Sequence, residues 1–409
     1  MIVLDLTPHM RNSPVENAGG NLLSGVSSKK ALRDGLPLSR EAALRWICAS
    51  DDELPELLAA ARATRSQFKS GVITYSRKVF IPLTNLCRDY CGYCTFRRDP
   101  GQPGAHTMTP EEVLAVTRAG EKLGCTEALF SLGDKPELVF PEMRGTLRRL
   151  GYRSTLHYLE AMCELVLRET SLLPHPNPGL MSAEWITRLS KVSPSMGLML
   201  ETSNAELLAS GAAHDKAPDK VPARRLRTIE DAGKQSVPFT TGILIGIGEW
   251  VQDRVDALLA IRGLHERYGH IQEVIIQNFR AKPGIPMHKW PEPTRGELLR
   301  TIAVARLLMP HVNIQAPPNL SDPDYEELLD AGINDWGGIS PLTPDFINPE
   351  RPWPHLEELE CRTRAKGFEL RQRLPIYPEF VNHAMLKSPL MKSRLETMVD
   401  SHGLAEGAA

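Results

Sequence analysis

The chain has no run of eighteen apolar residues, so no membrane-crossing helix is expected. It has no excess of basic charge: 48 Lys and Arg stand against 50 Asp and Glu, a formal net charge of -2. Neither nucleic acid nor an anionic membrane is therefore expected as a partner. The first residues, MIVLDLTPHMRNSPVENAGG, lack the basic-then-apolar order of a secretory leader. Seven cysteines are an odd number, at spacings unlike a disulfide framework, and the expectation is a cytoplasmic protein with reduced thiols. Cys48, Cys125, Cys163 and Cys361 lie in apolar helical patterns and are expected to be buried small hydrophobes. What remains is ordinary globular composition, 42% hydrophobic and 24% charged over 409 residues, enough for a large core.

The other three cysteines are concentrated. Cys87, Cys91 and Cys94 stand in NLCRDYCGYCTF with spacing C-x₃-C-x₂-C, and Tyr93 precedes the last. Three thiolates this close can hold three irons of a 4Fe–4S cubane and leave the fourth open to another ligand. A tetrahedral zinc site would want a fourth Cys or His nearby. The nearest His is His106, twelve residues on and beyond a Pro/Gly turn, so the run favours iron–sulfur over zinc.

Residues 1–30 are polar and rich in Gly, Ser and Asn, and are expected to be disordered. Residues 31–75 read as a helical extension, with Ser39 as an N-cap. From residue 76 to about 370, short apolar runs alternate with amphipathic stretches. The strands are expected at 79–83, 127–132, 171–175, 197–202, 238–246, 273–279, 312–316 and 335–340, with helices such as 156–169 and 297–309 between them. Eight strand–helix units in one domain predict an α/β fold, a closed (β/α)₈ TIM-type barrel. The tail, 371–409, is expected to pack on the barrel and to fray at its end.

Such barrels carry their chemistry on the loops after the strands, and the polar and Gly-rich segments do follow the expected strands. The cysteines follow the first. SLGDKPE, with Gly133, Asp134 and Lys135, follows the second, where glycine would let backbone carbonyls approach an ammonium group; a plain tight turn is the alternative. HPNPG follows the third, with His175 and Asn177 in a loop stiffened by prolines. Glu201 ends the fourth in LET, placed either to accept from ribose hydroxyls or to pair with an Arg; Arg225 lies downstream as a carboxylate-binding fork or a solvated helix residue. GILIGIGE, with Gly242, Leu244, Gly246 and Glu249, is the fifth, and it is not a dinucleotide fingerprint. Gln277, Asn278 and Arg280, then Asn319, then Ser340 and Asp345 follow the last three. Together they suggest a pocket for a polar, many-hydroxyl ligand.

CRDYCGYC resembles the cluster loop of radical S-adenosylmethionine (SAM) enzymes, and SLGDKPE resembles their second-strand motif. LET with the following Arg, and GILIGIGE, resemble the SAM-binding elements of the biotin-synthase-like branch, with Leu244 where Ile is usual. The longer stretches ITYSRKVFIPLTNLCRDYCGYCTFRRDP, LLPHPNPG, HDKAPDKVPARRLRTIEDAG, IQNFRAKPG and NDWGGISPLTPDFINPERPWP resemble the CofG family, subunits of 7,8-didemethyl-8-hydroxy-5-deazariboflavin (FO) synthases.

The resemblance implies a radical SAM barrel with a 4Fe–4S cluster on Cys87, Cys91 and Cys94 and SAM on the fourth iron. It implies SAM contacts from Tyr93, Gly133, Asp134, Lys135, Glu201, Arg225, Gly242, Leu244 and Gly246, and substrate contacts from His175, Asn177, Asn278 and Asn319. The implied reaction is an ammonia-releasing ring closure that completes a deazaflavin, a lyase reaction. The implied partners are a CofH enzyme supplying the substrate and a low-potential electron donor. A CofH-like tyrosine-cleaving enzyme, a menaquinone-pathway cyclase and a non-catalytic iron–sulfur carrier are the competing identities. No general acid or base stands out.

Overall fold

The structure is a computed structural model that describes residues 37–321, 323–381 and 388–406. The expected disorder of residues 1–30 lies outside the described residues. Eight parallel strands form a nearly closed barrel: β1 (Val72–Pro82), β2 (Glu127–Ser131), β3 (Leu173–Asn177), β4 (Met196–Gly197), β5 (Phe239–Ile245), β6 (Ile271–Asn278), β7 (Asn313–Gln315) and β8 (Asp335–Ile339). Hydrogen bonding runs in the order β3-β2-β1-β8-β7-β6-β5-β4.

The ladder stops between β3 and β4, where full closure was expected. The sequence of β3, LPHPN, supplies the reason. Leu173 donates to Thr126 O on the β2 side. Residues of the other parity, Pro174 and Pro176, face away from β2, and neither has an N–H to give. Pro174 thus lies in the strand as expected, while Pro176 and Asn177, expected in the loop after it, belong to the strand as well. β4 itself is only two residues long, and the sheet resumes beyond it through a single bridge between Glu201 and Ile243.

A ninth strand, β9 (Glu369–Arg373), lies in the stretch assigned from sequence to the barrel's end and tail. It pairs in parallel with the first half of β1, Val72–Ser76, while the second half, Lys78–Pro82, pairs with β2. β1 is correspondingly longer than its apolar run implied. The chain then turns inward, and Arg373, Pro375 and Tyr377 reach the barrel floor.

Side chains alternate along the strands. On β1, Val79 and Ile81 pack outward, whereas Lys78 and Phe80 face the interior. β2 does the same with Ala128 and Phe130 outward and Glu127, Leu129 and Ser131 inward. The helices cover the outward face. The helix Arg295–Leu308 is buried along its whole length after Glu297, because the N-terminal helices Arg40–Ile47 and Leu54–Phe68 pack on its far side. Ser39 caps the first of these, accepting from Ala42 N at 3.2 Å. Cys125 and Cys163 are buried as expected, but Cys48 and Cys361 are exposed. Cys48 ends a helix as its C-cap, and Cys361 lies on the outer face of the helix Leu356–Ala365.

Candidate active site

One cavity of about 350 Å³ runs from the cysteine loop into the barrel. Cys87, Cys91 and Cys94 line its mouth, and none is in a disulfide. Burial pushes the Cys87 thiol well above its ordinary pKa, with Asp89 and Cys91 adding to the effect. Burial also pushes Cys91 up to about 12. Thiolates here need a cation to form. Cys87 Sγ already accepts from two backbone amides, Asp134 N at 3.2 Å and Asp89 N at 3.4 Å, which favours an anionic sulfur. Three clustered thiols with amide donors suit an iron–sulfur cluster. His106 takes no part; it bonds Glu112 on the surface at 2.9 Å.

The loop after β2 is pressed against the cysteine loop. Gly133 N donates to Thr84 O at 2.8 Å, and Arg88 N donates to Asp134 O at 3.2 Å. A Cβ on Gly133 would lie 2.6 Å from the Leu86 carbonyl carbon and 2.7 Å from Cys87 Cβ. Only glycine allows this approach. Asp134 then turns inward, where Leu180 N donates to its Oδ2 at 3.1 Å and Lys135 Nζ contacts its Oδ1 at 2.5 Å. Burial raises Asp134 to about 6, against the pull of Lys135. Lys135, at φ 37°, is spent on Asp134 and on Asp219 3.8 Å away, and does not line the cavity.

A second wall comes from the segment between β4 and the helix Pro222–Lys234. Glu201 adopts φ 67°, unusual for a residue with a side chain, and is pinned there by Glu201 N to Gly242 O and Leu244 N to Glu201 O. Lys220 bonds Glu201 Oε1 at 2.5 Å, and Arg225 stands 4.0 Å from the same oxygen. Burial works against the charge on Glu201, but Lys220 and Arg225 hold it ionised. Its Oε2 has no partner among the described residues. Arg225 is not the open fork that its position suggested: it donates to Met199 O at 2.7 Å and Asp219 O at 3.1 Å. Lys220 was not singled out in the sequence; one of many basic residues in a charged stretch, it is distinguished only by burial. Asp219 stays ionised despite its burial, because Arg88 bonds both its oxygens at 2.5 Å.

Tyr93 lines the cavity, its hydroxyl 3.1 Å from His214 Nε2. Burial lowers His214 to about 3 and keeps it neutral. Of the GILIGIGE residues, Leu244 lines the cavity. Gly242 and Gly246 serve packing instead: a Cβ on Gly242 would meet Ile275, and one on Gly246 would come 2.5 Å from Pro293. Glu249 caps that turn, accepting from Gly246 N and Ile247 N at 2.8 Å each.

Deeper in, strand after strand contributes a polar side chain: Lys78, Glu127, His175, Thr240, Glu273 and Gln315. Strands buried on both faces should read as nearly unbroken apolar runs. Charged and amide residues at period two inside such runs were the missed signal. At the floor, Arg373 grips Asp335 through two bonds of 2.6 and 3.0 Å and reaches Glu273 at 3.1 Å. Burial lifts Glu273 to about 7, opposed by Arg373. His175, lowered to about 4 by burial, bonds Ser195 Oγ at 2.7 Å. Asn177 and Asn278 line the cavity, and Asn278 Oδ1 is buried without a partner. Asn319 does not line it. Its amide bonds Asp345 at 3.1 Å and Arg351 O at 3.0 Å, which ties down the loop after β8. Lys282 and Thr95 bond Ile347 O in that loop, so it closes over the mouth.

The comparisons agree with this geometry. The Radical SAM superfamily model matches residues 81–261. The 7,8-didemethyl-8-hydroxy-5-deazariboflavin synthase of Methanopyrus kandleri is 47% identical over 334 residues, covering 82% of this chain and 100% of that protein. The FO synthase of Streptomyces coelicolor is 49% identical over 397 residues, covering 94% of this chain but 45% of that protein. The chain thus spans just under half the length of that larger relative. Among solved structures, the hydrogenase maturase HydG of Carboxydothermus hydrogenoformans superposes with a TM-score of 0.68 over 91% of this chain and 89% of that one. At 20% identity that likeness concerns the fold alone.

Proposed function

The chain belongs to the FO synthase family of the radical SAM superfamily, and on that premise we propose that it performs the ring closure that yields FO. The substrate is 5-amino-5-(4-hydroxybenzyl)-6-(D-ribitylimino)-5,6-dihydrouracil, made by a CofH-type enzyme acting in trans. The aromatic ring is joined to the ribityl-bearing nitrogen and ammonia leaves, a lyase reaction; the closure also removes two hydrogens, one of which would pass as an atom to the 5′-deoxyadenosyl radical and the other leave as a proton with its electron returned to the one-electron carrier. Cys87, Cys91 and Cys94 would hold the 4Fe–4S cluster, with SAM on the fourth iron. When bound, the two together supply a 5′-deoxyadenosyl radical from one electron of a low-potential donor.

The protein's own part is placement and exclusion. Glu201, kept ionised by Lys220, would accept from the SAM ribose through its unspent Oε2. Tyr93 and Leu244, which line the cavity, would flank the adenosyl group. Gly133 holds the β2 loop against Cys87, where its backbone carbonyls would be placed to accept from the SAM amino group. His175, Asn177 and Asn278 bind the substrate's polar chain. The loop after β8, tied down by Lys282, Thr95 and Asn319, keeps solvent from the radical.

The observation that carries this reading is a cavity that joins all three thiols to a polar barrel interior. Anaerobic reconstitution with iron, sulfide, SAM and dithionite tests it. With a CofH-type partner, tyrosine and the ribityl-aminouracil, FO fluorescence is expected; without the partner, none. No fluorescence with the partner present refutes the assignment, and tyrosine cleavage by this chain alone marks it as CofH-type.

A further inference from the structure

Two polar side chains inside the barrel have no hydrogen-bonding partner among the described residues. Lys78 on β1 is 7% exposed and lines the cavity. Among the described residues it has neither an ion pair nor a hydrogen bond; its ammonium lies 4.9 Å from the Trp353 ring centre and 5.8 Å from that of Phe80. Gln315 on β7 is 6% exposed and lines the same cavity, and its amide likewise has no hydrogen bond among the described residues. Burial pulls the Lys78 pKa down, outweighing the attraction of Glu127, Asp345 and Glu273, none of which pairs with the ammonium directly. Such a group calls for an acceptor that arrives with a ligand.

The fold makes room for both. β8 runs between β1 and β7 and carries Gly337 and Gly338 side by side. A Cβ on Gly338 would overlap Cδ, Cε and Nζ of Lys78, and one on Gly337 would come 2.6 Å from Gln315 Cδ. Gly337 also has φ +77°. The paired glycines, adjacent in the chain, are the clearance through which the two side chains reach into one cavity.

Their chemistry matches a cyclic imide. A glutamine amide offers a donor and an acceptor side by side, the complement of an imide C=O and N–H. The ammonium offers a donor to the second carbonyl, or a counter-charge if the imide ionises. Phe80 and Trp353 supply flat apolar surface beside them. We infer that Lys78 and Gln315 form the subsite for the pyrimidinedione ring of the substrate. The ligand's identity in this inference rests on the proposed function.

The test is equilibrium binding of FO to the reconstituted chain, followed by FO fluorescence, with FO methylated at its imide nitrogen as a second probe. Lys78→Met and Gln315→Leu should each weaken FO binding by roughly 10-fold or more. Methylation should weaken binding to the wild type and make no difference to Gln315→Leu, a pattern that a merely structural glutamine would not produce. Gly338→Ala, which keeps both side chains but displaces Lys78, should weaken FO as well. It decides the matter if Lys78→Met fails to fold, as judged by iron content and melting temperature. Wild-type affinity in Lys78→Met, or an undiminished methylation penalty in Gln315→Leu, overturns the inference and leaves the proposed function standing. If the wild type neither makes nor binds FO, the proposed function fails first and the subsite falls with it.

Discussion

Gly133→Ala is the sharpest probe of how the cysteine loop is held. The new Cβ would stand 2.6 Å from the Leu86 carbonyl carbon and 2.7 Å from Cys87 Cβ, where ordinary contact begins at 3.4 Å. The obstacles are backbone and the root of a side chain, so no rotamer change relieves them. The loops after β1 and β2 must part by close to 1 Å. That stretches Gly133 N to Thr84 O, now 2.8 Å, and Asp134 N to Cys87 Sγ, now 3.2 Å. Overpacking of this kind costs about 1–3 kcal/mol, and a misplacement of about 1 Å at reacting groups costs on the order of 100-fold in rate. The variant is expected to melt a few degrees lower, bind less iron, and release 5′-deoxyadenosine about 100-fold more slowly under dithionite. Gly145→Ala is the control: its Cβ would meet nothing nearer than Arg149 Nη1 at 3.6 Å, in the middle of the helix Pro141–Leu150. It should leave turnover alone and stabilise slightly. Wild-type iron content and turnover in Gly133→Ala would refute the claim that this contact sets the geometry of the site.

Alanine at Cys87, Cys91 or Cys94 should abolish iron binding and 5′-deoxyadenosine release, while alanine at the exposed Cys48 or Cys361 should change neither, as iron analysis and product assays would show. Glu201→Gln should keep the fold and the iron but weaken SAM binding roughly 10-fold, measured by calorimetry; unchanged affinity would reduce Glu201 to a partner for Lys220 and Arg225. His270, fully buried with Nε2 on Ile229 O at 2.9 Å, is held at about 4 by burial, below its ordinary 6.5. Between those values the unfolded chain takes up the proton and the folded one does not, so this histidine loses stability as pH falls. From pH 7 to pH 5 the wild type should lose about 2 kcal/mol more than His270→Gln in urea unfolding; equal losses would contradict the assignment.

Much of the molecule was legible because its signals are local. The three cysteines declare themselves by spacing, and Ser39 declares a helix start by its position before a periodic run. Eight alternating units declare a parallel barrel. The cavity-lining residues were partly legible. Gly133 and Glu201 follow strands and Leu244 stands near the end of one, where such barrels place function, and each stands at the cavity or against the cysteine loop. Gly242, Gly246 and Asn319 looked similar in sequence, yet they face packing contacts or a neighbouring loop. A glycine needed against a ligand and one needed against a strand are the same letter.

What the sequence alone determined is the clustering of three cysteines, the barrel and the loops that surround its mouth, because each follows from residue spacing and period. Tertiary structure decided which polar residues matter inside. Lys78, Glu127, His175, Glu273, Gln315 and Arg373 come from six different strands and meet only when the sheet curls. It also decided that the barrel stays open at β3, where two prolines withhold their donors. β9 was invisible for the same reason: ELRQR has no apolar period of its own and becomes a strand by pairing with β1. Its Arg373 is then buried and charged against Asp335 and Glu273, a state that no single segment could sustain and that only the assembled barrel pays for.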